Sequence, residues 1–503
     1  MWNSAYTRFQ LRLHIPSSNL SLVAGLSAVW LAAQPAPPNP APISLDVAAV
    51  DRSGQPVSGL RAEDFQILDE GKPQKAAWAH RLAAQANPIG MGRHSNRSAT
   101  ASPSTVVLLD LFNRDLSRFN REIGARQLCA RIAGAFEKLR SDDHVYLYVL
   151  TPQVTIVAVR GSAGGSADAI RPILEEVLRK VMQPRPDYIP LRARIAPTWT
   201  ALSQAVMQMA EIPGPKSFVW ITQGVPYRQP QFGMHGFYDA DPLAAFAASL
   251  NAIEGAAYSV VEPVQSLAPI GSGAAIMDTG RDPGSPLDTL DHLGALTGGR
   301  VYSGDDETGK AILQAANDAR KRNYRIAFLP RSADGRYHKI RVTASRKNVE
   351  VLTADHYYAV QDLDAARRQE VIAGAAGASR FEYPEIGLTA TLSPAEGKAG
   401  EFRFTMFLNP ANLALVEDGQ RYKDSVAVWL FEIGANGERT MISGTPVDLD
   451  LSNQEYANAL HGGVKVTEQA TLRDTARQIR LVVLDCRSQL AGTLTIPLDH
   501  RPH

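Results

Sequence analysis

At 503 residues the chain is too long for a single hydrophobic core, so several domains are expected. Lys and Arg number 52 against 51 Asp and Glu, a formal charge of +1 without any block of one sign, which argues against a nucleic-acid or polyanion surface as the main business of the molecule. With 38 glycines, 32 prolines and 20% charged residues, the composition is that of a globular protein with many turns.

Residues 1–36 read as a secretory signal peptide followed by a Pro-rich tether. Arg8 and Arg12 precede an apolar stretch over 20–33, which ends in Ala32-Ala33 before the prolines. No later apolar run reaches about 18 residues, so no transmembrane span is expected once the signal is removed. The reading is an exported protein: periplasmic, envelope-associated or extracellular. Cys129 and Cys486 fall in different predicted domains and read as two unpaired, packed thiols.

Residues 43–83 form an N-terminal β segment of about three strands with turn chemistry at 52–56 and 69–73. It is too short to bury a core alone and needs a partner elsewhere. Residues 84–104 read as a mobile linker. From 105 to 322 strands and helices alternate, which predicts a mostly parallel sheet with helices on both faces. Its centre is the run at 105–111, four apolar residues followed by Asp110, at the strand end where ligands of open α/β sheets bind. Helices are expected at 117–139, 167–181, 200–212, 242–254, 287–296 and 310–322. Residues 323–360 are again β, expected to pair with 43–83. A helix and linker follow at 361–380, and 381–503 has the strand spacing of a β-sandwich. The fold class is therefore multidomain α/β plus all-β.

The run Val50-Asp51-Arg52-Ser53-Gly54-Gln55-Pro56-Val57-Ser58-Gly59-Leu60, with Asp64-Phe65 and Gly71-Lys72-Pro73-Gln74, resembles the opening of the VWFA-related acidobacterial family. So do Leu293-Gly294-Ala295-Leu296-Thr297-Gly298-Gly299-Arg300, Tyr324-Arg325-Ile326, residues 335–342 and His356-Tyr357-Tyr358. The resemblance spans about residues 43–360. It implies a Rossmann-like von Willebrand A-type domain with β-sandwich (Ig/fibronectin-like) modules, in a secreted protein with binding or scaffolding roles and no established chemistry. It also implies a place for Mg²⁺ or Mn²⁺, built from an Asp-x-Ser-x-Ser loop, a Thr and a later Asp. Asp110 matches the first acid and Thr200 the threonine. Phe112 and Arg114 stand at the two serine positions, and Gln223 stands where the last acid belongs. The site is degenerate, with Asp110, Asn113 and Thr200 as the remaining candidate ligands and an Arg114–Asp110 pair as an electrostatic substitute for the ion. Arg114, Trp199 and Gln223 are candidates for contact with a protein partner, as are Phe232, Phe237 and Tyr238.

Residues 304–311 nearly spell a phosphate-binding loop, but Ala311 cannot hold Mg²⁺ and three acids precede the lysine, so nucleotide is not expected. No zinc spacing, nucleophile elbow or paired catalytic acids stand out. The sequence thus points to a non-enzymatic recognition or scaffolding protein without a required cofactor. The alternatives are a divalent-cation-dependent adhesin using Asp110, Asn113 and Thr200, and a hydrolase with an unrecognised site.

Overall fold

The computed structural model describes residues 42–81, 94–96, 102–113, 121–163, 172, 174–176, 191–210, 212, 214–225, 242–261, 286–304, 307–359, 365–378, 382–383, 385–395 and 400–498. The expected signal peptide, Arg114 and the aromatic loop around Phe232 and Phe237 lie outside these residues.

Three N-terminal strands, β1 (Ile43–Val50), β2 (Phe65–Asp69) and β3 (Lys72–Arg81), precede a two-residue strand β4 (His94–Ser95). β4 falls within the expected linker. The α/β domain then runs β5 (Ser104–Asp110), α1 (Arg121–Phe136), β6 (His144–Leu150), β7 (Ile156–Ala163), α2 (Leu191–Ala210), β8 (Lys216–Thr222), α3 (Pro242–Ala252), β9 (Gly255–Val261), α4 (Pro286–Thr297), β10 (Arg300–Ser303) and α5 (Glu307–Lys321). Its sheet has the order β10-β9-β8-β5-β6-β7, parallel except for β7, which runs antiparallel to β6. Numbered within the domain, this is the doubly wound order 3-2-1-4-5-6.

β5 is buried along its whole length, and successive side chains of a strand point to opposite faces, so the strand feeds two cores. Val106 and Leu108 pack with Leu202 and Met209 of α2, Phe246 of α3 and Leu293 of α4. Val107 and Leu109 pack with Leu128 and Ile132 of α1 and Ile312 of α5. Cys129 is buried in the second core, and neither cysteine forms a disulfide.

Beyond α5 come β11 (Tyr324–Phe328), β12 (Tyr337–Ala344), β13 (Glu350–Leu352) and β14 (His356–Tyr358). They join the N-terminal strands in one antiparallel sheet of order β13-β1-β11-β3-β2-β12-β14. β11 lies between β1 and β3, and β12 pairs with β2. The α/β domain is thus inserted between two halves of a β module. Its core contains Val47, Phe65, Ile67, Ile326, Phe328, Ile340 and Tyr357.

The remaining chain forms α6 (Ala365–Ala378), β15 (Leu388–Pro394), β16 (Glu401–Leu408), β17 (Val416–Asp418), β18 (Arg421–Gly434), β19 (Arg439–Ser452), α7 (Asn453–Gly462), β20 (Val464–Thr471), β21 (Ala476–Asp485) and β22 (Ala491–Pro497). One sheet has the order β20-β16-β15-β4; in the other β18 pairs with β17, β19 and β21, and β21 pairs with β22. Alternate residues of both sheets, among them Leu388, Phe404, Met406, Val428, Leu481 and Val483, build a common core. Trp78 of β3 and Ala327 of β11 enter that core, fastening the N-terminal β module to the C-terminal one. No helix among the described residues is long and apolar enough to cross a membrane.

Candidate functional site at the end of the parallel sheet

Asp110 closes β5 at the carboxyl end of the parallel sheet and is fully buried. Its Oδ1 accepts the Asn113 backbone N–H at 2.9 Å. Its Oδ2 accepts Asn113 Nδ2 at 2.8 Å, the Thr222 hydroxyl at 2.8 Å and Trp220 Nε1 at 3.1 Å. These donors sit on the loop after β5 and on β8, the strand next to it, so register alone brings Trp220 and Thr222 to the carboxylate. Burial pushes the Asp110 carboxyl upward from the usual carboxylate range, while the bonds from Asn113, Thr222 and Trp220 pull the other way.

Asn113 is also buried, and its Nδ2 donates to Thr198 Oγ1 at 3.0 Å. The Thr198 hydroxyl in turn donates to the Arg194 carbonyl at 2.7 Å, and Arg194 Nη1 donates to the Asn113 carbonyl at 3.3 Å. The Thr222 hydroxyl accepts the Gly224 N–H at 2.9 Å. The result is a network closed on itself, in which each oxygen of the acid is already met by donors of the same chain.

A hard cation needs oxygen lone pairs directed at a common point. Here three N–H groups and one hydroxyl are directed at the carboxylate, so an ion at Asp110 would have to displace them. No group of three or more His, Cys, Asp or Glu residues able to hold a metal occurs among the described residues.

Of the residues singled out from sequence, Asp110 and Asn113 are in direct contact. Thr200 is not part of the site, which corrects the sequence expectation. It is exposed, and its hydroxyl donates back along the helix to the Ala196 carbonyl at 3.0 Å. The threonine that meets Asn113 is Thr198. Residues two apart on a helix are about 200° apart around the axis, so both cannot face the site. Phe112, at the first serine position, is buried in the core shared with α2 and α3. Trp199 is buried against Phe246, with ring centroids 5.8 Å apart, and its Nε1 is without a hydrogen-bond partner. It is a core residue rather than an exposed rim anchor. Gln223 is half-buried directly after Thr222.

Sequence reasoning missed Thr198, Arg194, Trp220 and Thr222. The signals were present: Arg194 and Thr198 are one helical turn apart, and Trp220 and Thr222 are alternate residues near the end of the strand beside β5. The near phosphate loop is occupied differently as well. Lys310 donates to Glu307 at 2.5 Å in the first turn of α5, which pins the lysine to an acid of its own helix.

No protein-family model matches the chain, and no curated protein matches it. Solved structures similar to it include a von Willebrand factor type A protein from Catenulispora acidiphila, at 10% identity, 68% of this chain, 84% of that chain and a TM-score of 0.28. The pilus adhesin SpaC from Lactobacillus rhamnosus GG is similar at 10% identity over 86% of this chain and 57% of its own, with a TM-score of 0.26. The ArnB paralog VWA2 from Sulfolobus acidocaldarius is similar at 7% identity over 62% and 86%, with a TM-score of 0.24. Likenesses at these TM-scores carry no weight in the functional reading, which rests on strand order and side-chain geometry.

Proposed function

We propose that the protein is an exported, non-enzymatic recognition or scaffolding protein in which an A-type α/β domain has exchanged a cation for an internal hydrogen-bonded lock. The observation that carries this reading is the saturation of Asp110. A carboxylate at the carboxyl end of β5 stands where a ligand-binding acid belongs, yet Asn113, Trp220 and Thr222 supply four hydrogen bonds to it from within the chain. The lock ties the β5 loop to β8 and, through Thr198, to α2. Loops at this end of the sheet are thereby held in one arrangement without an ion, which suits a rigid surface for a protein partner.

Calorimetric titration of Mg²⁺ and Mn²⁺ into the chelator-treated chain tests the reading, with Asp110→Ala as control. No saturable heat is expected from either protein. Saturable binding at micromolar to low millimolar concentration, lost in Asp110→Ala, would replace this reading with that of a cation-dependent adhesin.

A further inference from the structure

A cleft of about 740 Å³ opens where the N-terminal β module, the α/β domain and the C-terminal β module meet. We infer that it takes one extended, cationic segment of a partner protein, added as a strand to the open edge of β1. Asp110 does not line this cleft, so the inference rests on the recognition reading only for the kind of partner.

The first argument is the backbone. β1 pairs with β11 through residues 43–47, but on its other side β13 covers only Ala48, Ala49 and Val50. The outer edge of the first half of β1 is therefore free of any strand among the described residues. The Asp46 carbonyl faces that side, because it accepts the Thr353 hydroxyl at 2.7 Å. Groups two residues apart on a strand face the same way, so the N–H and C=O of Ser44 also point outward, with no partner among the described residues. Ser44 lines the cleft and presents the donor–acceptor pair that an added strand uses.

The second argument is room. α3 also lines the cleft, with Ala245 and Ala248 both exposed there. Their methyl side chains take up little of its volume of about 740 Å³. The third is charge. The carboxylates of Asp46, Asp334 and Glu385 line the cleft against a single guanidinium, that of Arg325, already bonded to Asp46 and Glu385. The excess is negative, which favours a segment bearing Lys or Arg and opposes an acidic one.

The test is a fluorescence-anisotropy titration of the full chain with a labelled alternating Lys-Ala octapeptide, beside its Glu-Ala counterpart. Saturable binding of the Lys-Ala peptide alone is expected. Ala248→Trp fills the cleft from an exposed helix position, and Ser44→Pro removes an outward N–H without touching the β1–β11 ladder; each should weaken binding roughly tenfold or more. Should Ser44→Pro fail to fold, Ala248→Trp decides. Absence of saturable binding, equal binding of the acidic peptide, or binding unchanged by Ala248→Trp overturns the inference. Metal-independence at Asp110 would stand untouched by any of these outcomes, and this inference would stand untouched by the metal titration.

Discussion

Asp424, on β18, is buried beside Asp485. Its Oδ1 accepts the Ser425 N–H at 2.8 Å and lies 3.8 Å from Arg487 Nε, while its Oδ2 takes no hydrogen bond. Asp485 uses its own oxygens on the N–H groups of Ala414, Arg487 and Ser488. Burial, with the Asp485 carboxylate next, pushes Asp424 up to about 8. The folded chain then keeps a proton that the unfolded chain releases near pH 4, so this group's contribution to stability falls as pH rises from about 4 to about 8 and levels off above. Asp424→Asn retains the neutral shape without a titrating proton. In urea denaturation across that range it is expected to flatten the slope and to exceed the parent by roughly 1–3 kcal/mol at pH 8. An unchanged slope would show that Asp424 is ionised throughout. Such a pair is invisible in sequence, because residues 424 and 485 meet only through the β18–β21 pairing. Asp110 was legible because a lone acid closed an apolar strand. Thr198 was not, because the helix was expected only from residue 200, whereas α2 begins at Leu191, runs through Pro197 and turns Thr200 to solvent.

The turn between α4 and β10 shows the same contrast for whole elements. α4 ends at Thr297, one residue past the expected end, where Gly298-Gly299 follows, and Gly298 has φ of 73°. Gly299 is needed for a different reason: a Cβ there would lie 1.6 Å from the Ala257 carbonyl oxygen on β9. Gly299→Ala must push β10 away from β9, and a loss of about 2–3 kcal/mol or more is expected from the denaturation midpoint. Gly294→Ala, within α4 and no closer than 3.5 Å to its nearest neighbour, should be neutral or slightly stabilising. Equal losses from both would refute the close-approach account. The parallel strands were legible as apolar runs because they are buried on both faces. β19 was not, since its exposed, alternating residues form a long edge with little apolar signal. α7 was announced by Ser452 and Glu455, whose side chains form a capping box, but it is mostly exposed and lacks a clear apolar stripe. β4 escaped notice because two residues show no period; it is held by Asn96, which bonds Tyr383, Ile386 and Leu388.

At the scale of the molecule, Arg325 joins the three modules. From β11 it donates to Asp46 on β1 at 2.7 and 3.2 Å, to Glu385 ahead of β15 at 2.8 Å, and to the Asn251 carbonyl on α3 at 2.7 Å. Glu385 also accepts the Ala491 N–H, so the hub continues into β22. The pairing of residues 43–81 with 324–358 was legible because neither half can bury a core alone. The hub was not, because three charged residues far apart in sequence look like ordinary solvated charges until the folds around them meet. Arg325→Met leaves two mostly buried carboxylates without their cation, and removing one partner of a buried ion network costs about 3–5 kcal/mol. The loss should appear in chemical denaturation and should largely disappear when Asp46→Asn and Glu385→Gln are added, because the uncompensated charges are then gone. If the triple variant stays as unstable as Arg325→Met, what Arg325 contributes is packing and its bond to Asn251, and the three modules are held together mainly by apolar contacts such as Trp78 in the C-terminal core.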